Sequence, residues 1–239
     1  IMNNPNGPYP GRQLFIGLTT DGSPAIAYLV TGRSPQSKER QARQVERKII
    51  IGPIGNQQYD PLRHYTAVEY DNNSGIMVVS NGIQTEAIFE TYTLLHRLES
   101  PPVGEYLEKI MEGAKAEPDR MHTPRVAAVF TGNINPIYLI GIIEHGLPVK
   151  VFQIEPKAGT MVGISTYKGD LDNPEPFPLS SELPRLEFNG RTAAEIARYL
   201  FDISYATHEG DDIRVCSVGG VLVEEKCTWD SAIVNVHQN

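Results

Sequence analysis

The chain has 239 residues, of which 40% are hydrophobic and 21% charged, and its formal net charge is −8. These values are ordinary for a soluble globular protein, and the acidic balance disfavours a general nucleic-acid-binding surface. No apolar run approaches the length of a membrane-spanning helix, so we expect no membrane partner.

The cysteines and the first residues bear on the compartment. Cys216 and Cys227 are too few for a disulfide scaffold or a zinc site. Residues 1–5 carry no basic and apolar signal pattern. We therefore expect a cytoplasmic protein with reduced thiols, in which Cys216 is a small apolar residue of a strand.

The first predicted element is a hairpin. Residues 14–18 and 25–30 have strand composition, and Asp21-Gly22 between them favours a turn, because glycine accepts a positive φ at no steric cost. The second strand ends just before Arg33. A guanidinium offers two parallel donors to a phosphate or carboxylate, so Arg33 is a candidate anion ligand.

The segment after the hairpin is polar instead of apolar. Residues 34–48 are polar and mostly basic, which predicts an exposed loop with most of its arginines and lysines in solvent. Strands are predicted at 48–52, 66–70 and 76–80, with a turn at 71–75.

Three helices are predicted. Residues 86–98 place Ile88, Tyr92, Leu95 and Leu98 on one face, and residues 106–114 have a second apolar face. The third helix begins at Thr192-Ala-Ala-Glu195, a capping box in which each side chain can satisfy a backbone donor.

The remaining strands lie between and after these helices. Apolar runs predict strands at 125–131, 137–143, 149–154 and 161–167, followed by a long surface loop at 168–190. A final strand pair, 213–218 and 221–223, is expected to turn at Gly219-Gly220.

The order of elements indicates the fold class. Helices do not alternate one for one with strands, which disfavours a doubly wound parallel sheet. We predict an α+β fold in which two mainly antiparallel sheets pack face to face with helices outside. The chain has no internal repeat and no clear linker, so we expect one domain over residues 1–239.

Common catalytic signatures are missing from the sequence. There is no Walker loop, no G-x-G-x-x-G after a strand, no H-E-x-x-H and no G-x-S-x-G. The six histidines are not spaced as metal ligands, so we predict neither a metal nor a cofactor.

Five groups of short motifs follow one another along the chain. They are Tyr9-Pro-Gly11-Arg12 with Arg33-Ser34 and Arg40, Tyr59-Asp-Pro-Leu-Arg63, residues 80–88, Glu117-Pro-Asp119 with Thr123-Pro-Arg125, and Thr166-Tyr167-x-Gly169 with Pro176-Phe177. Together they resemble the archaeal-type IMP cyclohydrolase family. The resemblance implies a four-layer αββα sandwich, similar to the N-terminal-nucleophile hydrolases but without their self-processed nucleophile.

The resemblance also implies a reaction of purine biosynthesis. The carboxamide nitrogen of 5-formamidoimidazole-4-carboxamide ribonucleotide attacks the formyl carbon, and water leaves to give IMP, with no cofactor or metal. Arg33 would contact the nucleotide, and Tyr59 would donate a proton to the formyl oxygen or the leaving hydroxyl. Glu117 would orient the carboxamide and take its proton.

A purine-nucleotide pocket would need further contacts. In this chain the substrate-binding candidates are Arg12, Ser34, Arg63, Asn81, Gly82, Asp119 and Arg125. Asn81 would hydrogen-bond the base, Asp119 is an alternative to Glu117, and Arg63 and Arg125 are alternatives to Arg33.

Departures from the family pattern keep other functions open. Gln84 stands where the family has histidine, and residues 35–39 replace a shorter segment. A different amidohydrolase on the same fold is one alternative, and a non-catalytic purine-nucleotide-binding protein is another. The sequence also leaves a homo-oligomer open.

Overall fold

A computed structural model describes residues 4, 5, 7–56, 58–132, 136–178, 182–223 and 227–237. The strands of its first half are β1 Arg12–Leu18, β2 Pro24–Thr31, β3 Arg40–Val45, β4 Lys48–Pro53, β5 Tyr65–Tyr70, β6 Met77–Ser80 and β7 Arg125–Thr131. The later strands are β8 Ile137–Ile143, β9 Lys150–Ile154, β10 Thr160–Ser165, β11 Tyr167–Gly169, β12 Pro174–Pro176, β13 Arg185–Glu187, β14 Thr207–His208, β15 Asp211–Asp212, β16 Arg214–Val223 and β17 Thr228–Asn235. The helices are α1 Pro35–Lys38, α2 Gln84–Arg97, α3 Gly104–Ala114 and α4 Ala193–Ile203.

Two antiparallel sheets hold most of these strands. One has six strands in the order β13-β10-β1-β2-β16-β17, and the other has seven in the order β3-β4-β5-β6-β7-β8-β9. β11 pairs with β12 and β14 with β15 in two short ribbons. The grouping of strands and the antiparallel pairing predicted from the sequence are confirmed.

Central strands are buried on both faces. Successive side chains of a strand point to opposite sides, so an apolar run without polar interruptions supplies two cores at once. In β2, Tyr28 and Val30 join a cluster that includes residues of both sheets, whereas Ala27 and Leu29 join α4. In β7, Val126 faces the shared cluster.

The helices pack on the sheets through their apolar faces. α2 and α3 share a core with β6, β7 and β8, and α4 packs over β2, β16 and β17. The predicted capping box of α4 is present, because Thr192 accepts from the Glu195 backbone and Glu195 accepts from the Thr192 backbone. Leu98 is 63% exposed and lies beyond the end of α2, so its predicted place on the buried face is wrong.

The prediction of an exposed loop at 34–48 is wrong. Residues 35–38 form α1, and β3 pairs with β4 along its full length. Arg40 is only 2% exposed, whereas Arg43 is exposed. β3 is an edge strand, and exposed charged residues on an edge strand discourage pairing with other chains. The same basic residues give the segment the composition of a solvent-exposed loop.

Two predictions in the C-terminal half are also wrong. β16 is one continuous strand through Gly219-Gly220, and its partner is β17. A Cβ at Gly219 would lie 2.1 Å from the backbone oxygen of Ala193, so glycine here permits close packing of α4 rather than a turn. Part of 168–190 is interior: β13 pairs with β10, and Phe177 is 1% exposed. Residues 179–181 lie outside the described part.

Two general expectations concern the described residues. None of their helices is both long and apolar enough to cross a membrane. Neither Cys216 nor Cys227 forms a disulfide within the described chain, and Cys216 is buried in β16 as expected. Burial raises the pKa of the Cys216 thiol to about 12, so it stays protonated.

Candidate active site

A cleft of 640 Å³ opens where β1 begins and β2 ends. Further lining residues come from α1, the start of β3, the loops that precede β5 and β7, β11 and the β14–β15 hairpin. The predicted site residues that line it are Arg12, Arg33, Ser34, Arg63, Glu117 and Asp119. The other four, Tyr59, Asn81, Gly82 and Arg125, do not line it.

Glu117 is the central carboxylate of the cleft. It is 2% exposed, and its Oε1 accepts a hydrogen bond from Arg12 Nη2 at 2.6 Å. Burial raises the pKa of Glu117, and Arg12 and Arg125 partly offset that rise. Burial alone would lower the pKa of Arg12, but the attraction of Glu117 together with smaller contributions from nearby tyrosines holds that pKa above its ordinary value. Glu117 is therefore a buried carboxyl group whose pKa is raised above its ordinary value.

Behind Glu117 lies a layer of polar side chains that the cleft does not reach. Asn81 donates to Glu117 Oε1 at 3.4 Å and to the Pro124 carbonyl at 2.9 Å, and its Oδ1 accepts from the Val126 amide at 2.8 Å. Arg125 Nη1 lies 3.8 Å from Glu117 Oε1. These contacts place Asn81 and Arg125 against the Glu117 carboxylate.

Arg40 also lines the cleft. Its Nε donates to the Ser37 carbonyl at 2.7 Å, and Asn235 bridges to both backbone groups of Ala42, which fixes the start of β3. Arg40 Nη1 is buried, and no described residue accepts from it or forms an ion pair with Arg40. Burial lowers the pKa of Arg40. A buried cation without a counter-charge is costly unless a ligand supplies one.

Two tyrosines lie near both guanidiniums. The hydroxyls of Tyr28 and Tyr65 are 2.7 Å apart and buried. Burial raises the pKa of Tyr65, although Arg12 and Arg40 both act to lower it. Both hydroxyls therefore remain protonated, and neither compensates the charge of Arg40.

The loop that carries Glu117 is held by hydrogen bonds of Asp119. Asp119 accepts from the backbone and the hydroxyl of Thr123, at 2.8 and 2.5 Å. The Thr123 hydroxyl also lies 2.5 Å from the Tyr167 hydroxyl, and burial raises the pKa of Tyr167 to about 12. Asp119 thus lines the cleft while both its carboxylate oxygens hold the loop.

The remaining predicted residues lie at the rim. Arg33 packs over the Tyr9 ring at 4.9 Å, and its Nη1 donates to the Leu171 carbonyl. Ser34 caps α1 by accepting from the Ser37 amide at 3.2 Å. Arg63 forms an ion pair with Asp60 at 2.7 Å. Each rim residue therefore has protein partners of its own.

Tyr59 stands apart from this arrangement. Its side chain is 66% exposed, and its ring lies 5.7 Å from the ring of His64. The next residue, Asp60, lines the cleft. The structure thus brings Arg33 and Glu117 into one cleft and leaves Tyr59 just outside it.

Sequence reasoning missed several residues that line the cleft. Arg40, Thr123 and Tyr167 all lie within the motifs that carry the resemblance. Arg40 also lies in the segment whose composition predicts an exposed loop with most of its basic residues in solvent. The signal that favours a role for Arg40 is its position in the first motif, six residues after Ser34.

Comparison with known proteins finds similarity over most of the chain. A family model described as "IMP cyclohydrolase-like protein" matches residues 9–226. The chain belongs to this family. Among named relatives, the IMP cyclohydrolase of Methanocaldococcus jannaschii is 27% identical over 84% of this chain and 89% of its own length. The IMP cyclohydrolase of Methanocella arvoryzae is 25% identical over 91% and 94%, and that of Methanococcus aeolicus is 24% identical over 81% and 88%.

Metal ligation has no support in the described residues. They contain no group of three or more histidine, cysteine, aspartate or glutamate side chains placed to hold an ion.

Proposed function

We propose that this protein is an IMP cyclohydrolase, which closes 5-formamidoimidazole-4-carboxamide ribonucleotide to IMP with loss of water. Membership of the IMP cyclohydrolase-like family supports the reaction. The observation that carries the assignment is a buried carboxylate with a raised pKa in the same cleft as a buried guanidinium without a counter-charge.

Ring closure needs a base and a donor. The carboxamide nitrogen must lose a proton as it bonds to the formyl carbon, and negative charge develops on the formyl oxygen. Glu117 takes the proton, because a base is most effective when its pKa approaches the working pH. Arg40 donates from Nη1 to the formyl oxygen, which supplies the partner that the guanidinium lacks.

The second half of the reaction removes water. The proton held by Glu117 passes to the oxygen of the former formyl group and makes it a hydroxyl. The bond from carbon to this hydroxyl then breaks as the formamido nitrogen gives up its proton, which leaves with the hydroxyl as water and leaves a C=N double bond in the new ring. Both reacting arms belong to one molecule, so holding them in contact supplies much of the rate enhancement. Tyr59 is a second candidate proton donor to this hydroxyl.

The rim would bind the rest of the nucleotide. Arg33, with Arg63 as an alternative, would contact the phosphorylated ribose. Arg12 would hold Glu117 and border the bound base. Asn81 and Arg125 would act on the carboxylate rather than on the base, since both lie behind it.

The proposal includes a fold. Residues of both large sheets share the main core cluster, and helices pack on the far side of each sheet, which supports a four-layer αββα sandwich similar to the N-terminal-nucleophile hydrolases. The family match over residues 9–226 supports one domain. A cytoplasmic location accords with two cysteines that form no disulfide in the described chain.

The decisive experiment is direct. The protein is mixed with the formamido ribonucleotide, and the ultraviolet spectrum of IMP is followed over time, with Glu117→Gln as the matched inactive variant. Appearance of IMP only with the unaltered chain supports the proposal. Thermal stabilisation by IMP without turnover would instead indicate a nucleotide-binding protein. Release of ammonia or a carboxylate from other amides would indicate a different amidohydrolase.

A further inference from the structure

Gln84, the first residue of α2, is buried behind the active site, and both polar atoms of its side chain are hydrogen-bonded. Its Nε2 faces two carbonyl acceptors, Asn81 Oδ1 at 3.2 Å and the Val126 backbone oxygen at 3.4 Å. Its Oε1 faces a donor, Arg125 Nη1, at 3.2 Å. Because acceptors lie on one side and a donor on the other, the orientation of the amide is fixed.

The same nitrogen of Arg125 lies near two acceptors. Nη1 is 3.2 Å from the Gln84 oxygen but 3.8 Å from Glu117 Oε1, which is beyond hydrogen-bonding distance. Gly82 leaves room for the Arg125 guanidinium, since a Cβ there would lie 2.1 Å from Arg125 Nη1. Gln84 and Gly82 together determine where this guanidinium rests.

We propose that Gln84 is a positioning residue, which holds the Arg125 guanidinium just short of Glu117 and so sets how readily Glu117 takes a proton. The inference deepens the proposed function, on which it rests for the role of Glu117 as the base. It assigns Arg125 to tuning the carboxylate instead of binding substrate.

The charged and titratable groups around Glu117 come from four elements. Arg12 of β1 bonds to it, Arg125 of β7 lies 3.8 Å away, Asp119 shares its loop, and Tyr65 of β5 interacts with it electrostatically. Of the two cations, Arg125 is the one that does not hydrogen-bond to Glu117. A small movement of Arg125 toward Glu117 or away from it would therefore change the proton affinity of Glu117.

Two substitutions at Gln84 should move that affinity in opposite directions. Gln84→Met keeps the length but removes the acceptor, so Arg125 can close onto Glu117 and favour its charged form. Gln84→Glu adds a carboxylate that pairs with Arg125 and draws it away. An opposite charge within about 4–6 Å shifts a carboxyl pKa by about 1–3 units, so we expect displacements of about one unit, downward in Gln84→Met and upward in Gln84→Glu.

The experiment measures the carboxyl directly. The titration of Glu117 is followed by carbon NMR of protein labelled at the glutamate carboxyls, with the signal assigned by its loss in Glu117→Gln. The acidic limb of the pH–rate profile is recorded for the same variants. Gln153→Glu adds the same charge at an exposed position on β9 and should leave both measurements unchanged.

The outcomes separate the inference from the proposed function. Opposite displacements in the two variants support the positioning role, and they support it even if no variant forms IMP, in which case the proposed reaction alone fails. Displacements of the same sign, or none, overturn the inference, because loss of a merely structural contact would lower activity without moving the titration in two directions.

Discussion

The guanidiniums of Arg12 and Arg40, which both line the cleft, differ in what surrounds them. Arg12 bonds to Glu117, and that carboxylate is itself supported by Asn81 with Arg125 behind it. Arg40 has backbone carbonyls as partners, but its Nη1 has none among the described residues. Arg12 and Arg125 therefore have a counter-charge in Glu117, although the buried Nε of each lacks a hydrogen-bond partner, whereas Arg40 has no counter-charge among the described residues.

This difference indicates that the Glu117 side positions a base and the Arg40 side stabilises developing negative charge. A carboxylate that accepts from Arg12 and Asn81 is held in position before substrate arrives, which suits a base that must meet one nitrogen atom. An unsatisfied buried donor stores unfavourable free energy that a developing negative charge can relieve. The contrast can be tested by changing each side separately.

The largest effect is expected at Glu117. Glu117→Gln keeps the shape but removes the base, so turnover should fall by about 10²–10⁴-fold, the usual contribution of general base catalysis. The initial rate of IMP formation gives the measurement, and Glu112→Gln on the exposed face of α3 is the control. A Glu117→Gln variant with near-normal turnover would remove Glu117 from the chemistry.

Arg40→Met should lower turnover by about 10²–10³-fold, the cost of losing one donor to a developing oxyanion. The unliganded variant should also be more stable, because a buried charge without a counter-charge has been removed. A gain of about 1 kcal/mol would raise its melting temperature by about 2–4 °C.

Arg12→Met sharpens the contrast, because it leaves Glu117 without its main partner. Breaking a buried pair in this way costs about 3–5 kcal/mol, so this variant should melt well below the unaltered chain. Differential scanning calorimetry compares both variants with Arg43→Met, an exposed change on β3. If Arg40→Met were destabilised as strongly as Arg12→Met, the two sides would not differ as described.

Tyr59→Phe should lower turnover by about 10²-fold if its phenol donates a proton in the transition state. The structure makes this a demanding test, since Tyr59 lies largely in solvent. Tyr106→Phe on α3 is the matched removal of another hydroxyl. An unchanged rate would leave Arg40 as the donor to the formyl oxygen without help from Tyr59.

The smallest effect is expected at the rim. Arg33→Ala should weaken IMP binding about tenfold, which corresponds to the loss of one contact of about 1.4 kcal/mol, with little change in the chemical step. Isothermal titration calorimetry with IMP gives the dissociation constant, and Arg43→Ala is the control. Equal affinity in Arg33→Ala and the unaltered chain would exclude Arg33 from the nucleotide site.

The pattern of the sequence alone determined the hairpin of β1 and β2, most strands of both sheets, α2 to α4 and the capping box at Thr192, because alternation, helical periodicity and turn chemistry are relations between neighbours in the chain. It also singled out Arg33, whereas Glu117 was indicated only by the resemblance to a known family, and the two residues share the cleft. Only the tertiary structure decided that Arg40 is buried without a counter-charge, that Gly219 admits a helix, and that Arg12 meets Glu117 across the fold. Those facts depend on which distant segments pack together, and a charged residue looks the same in sequence whether water or the interior surrounds it.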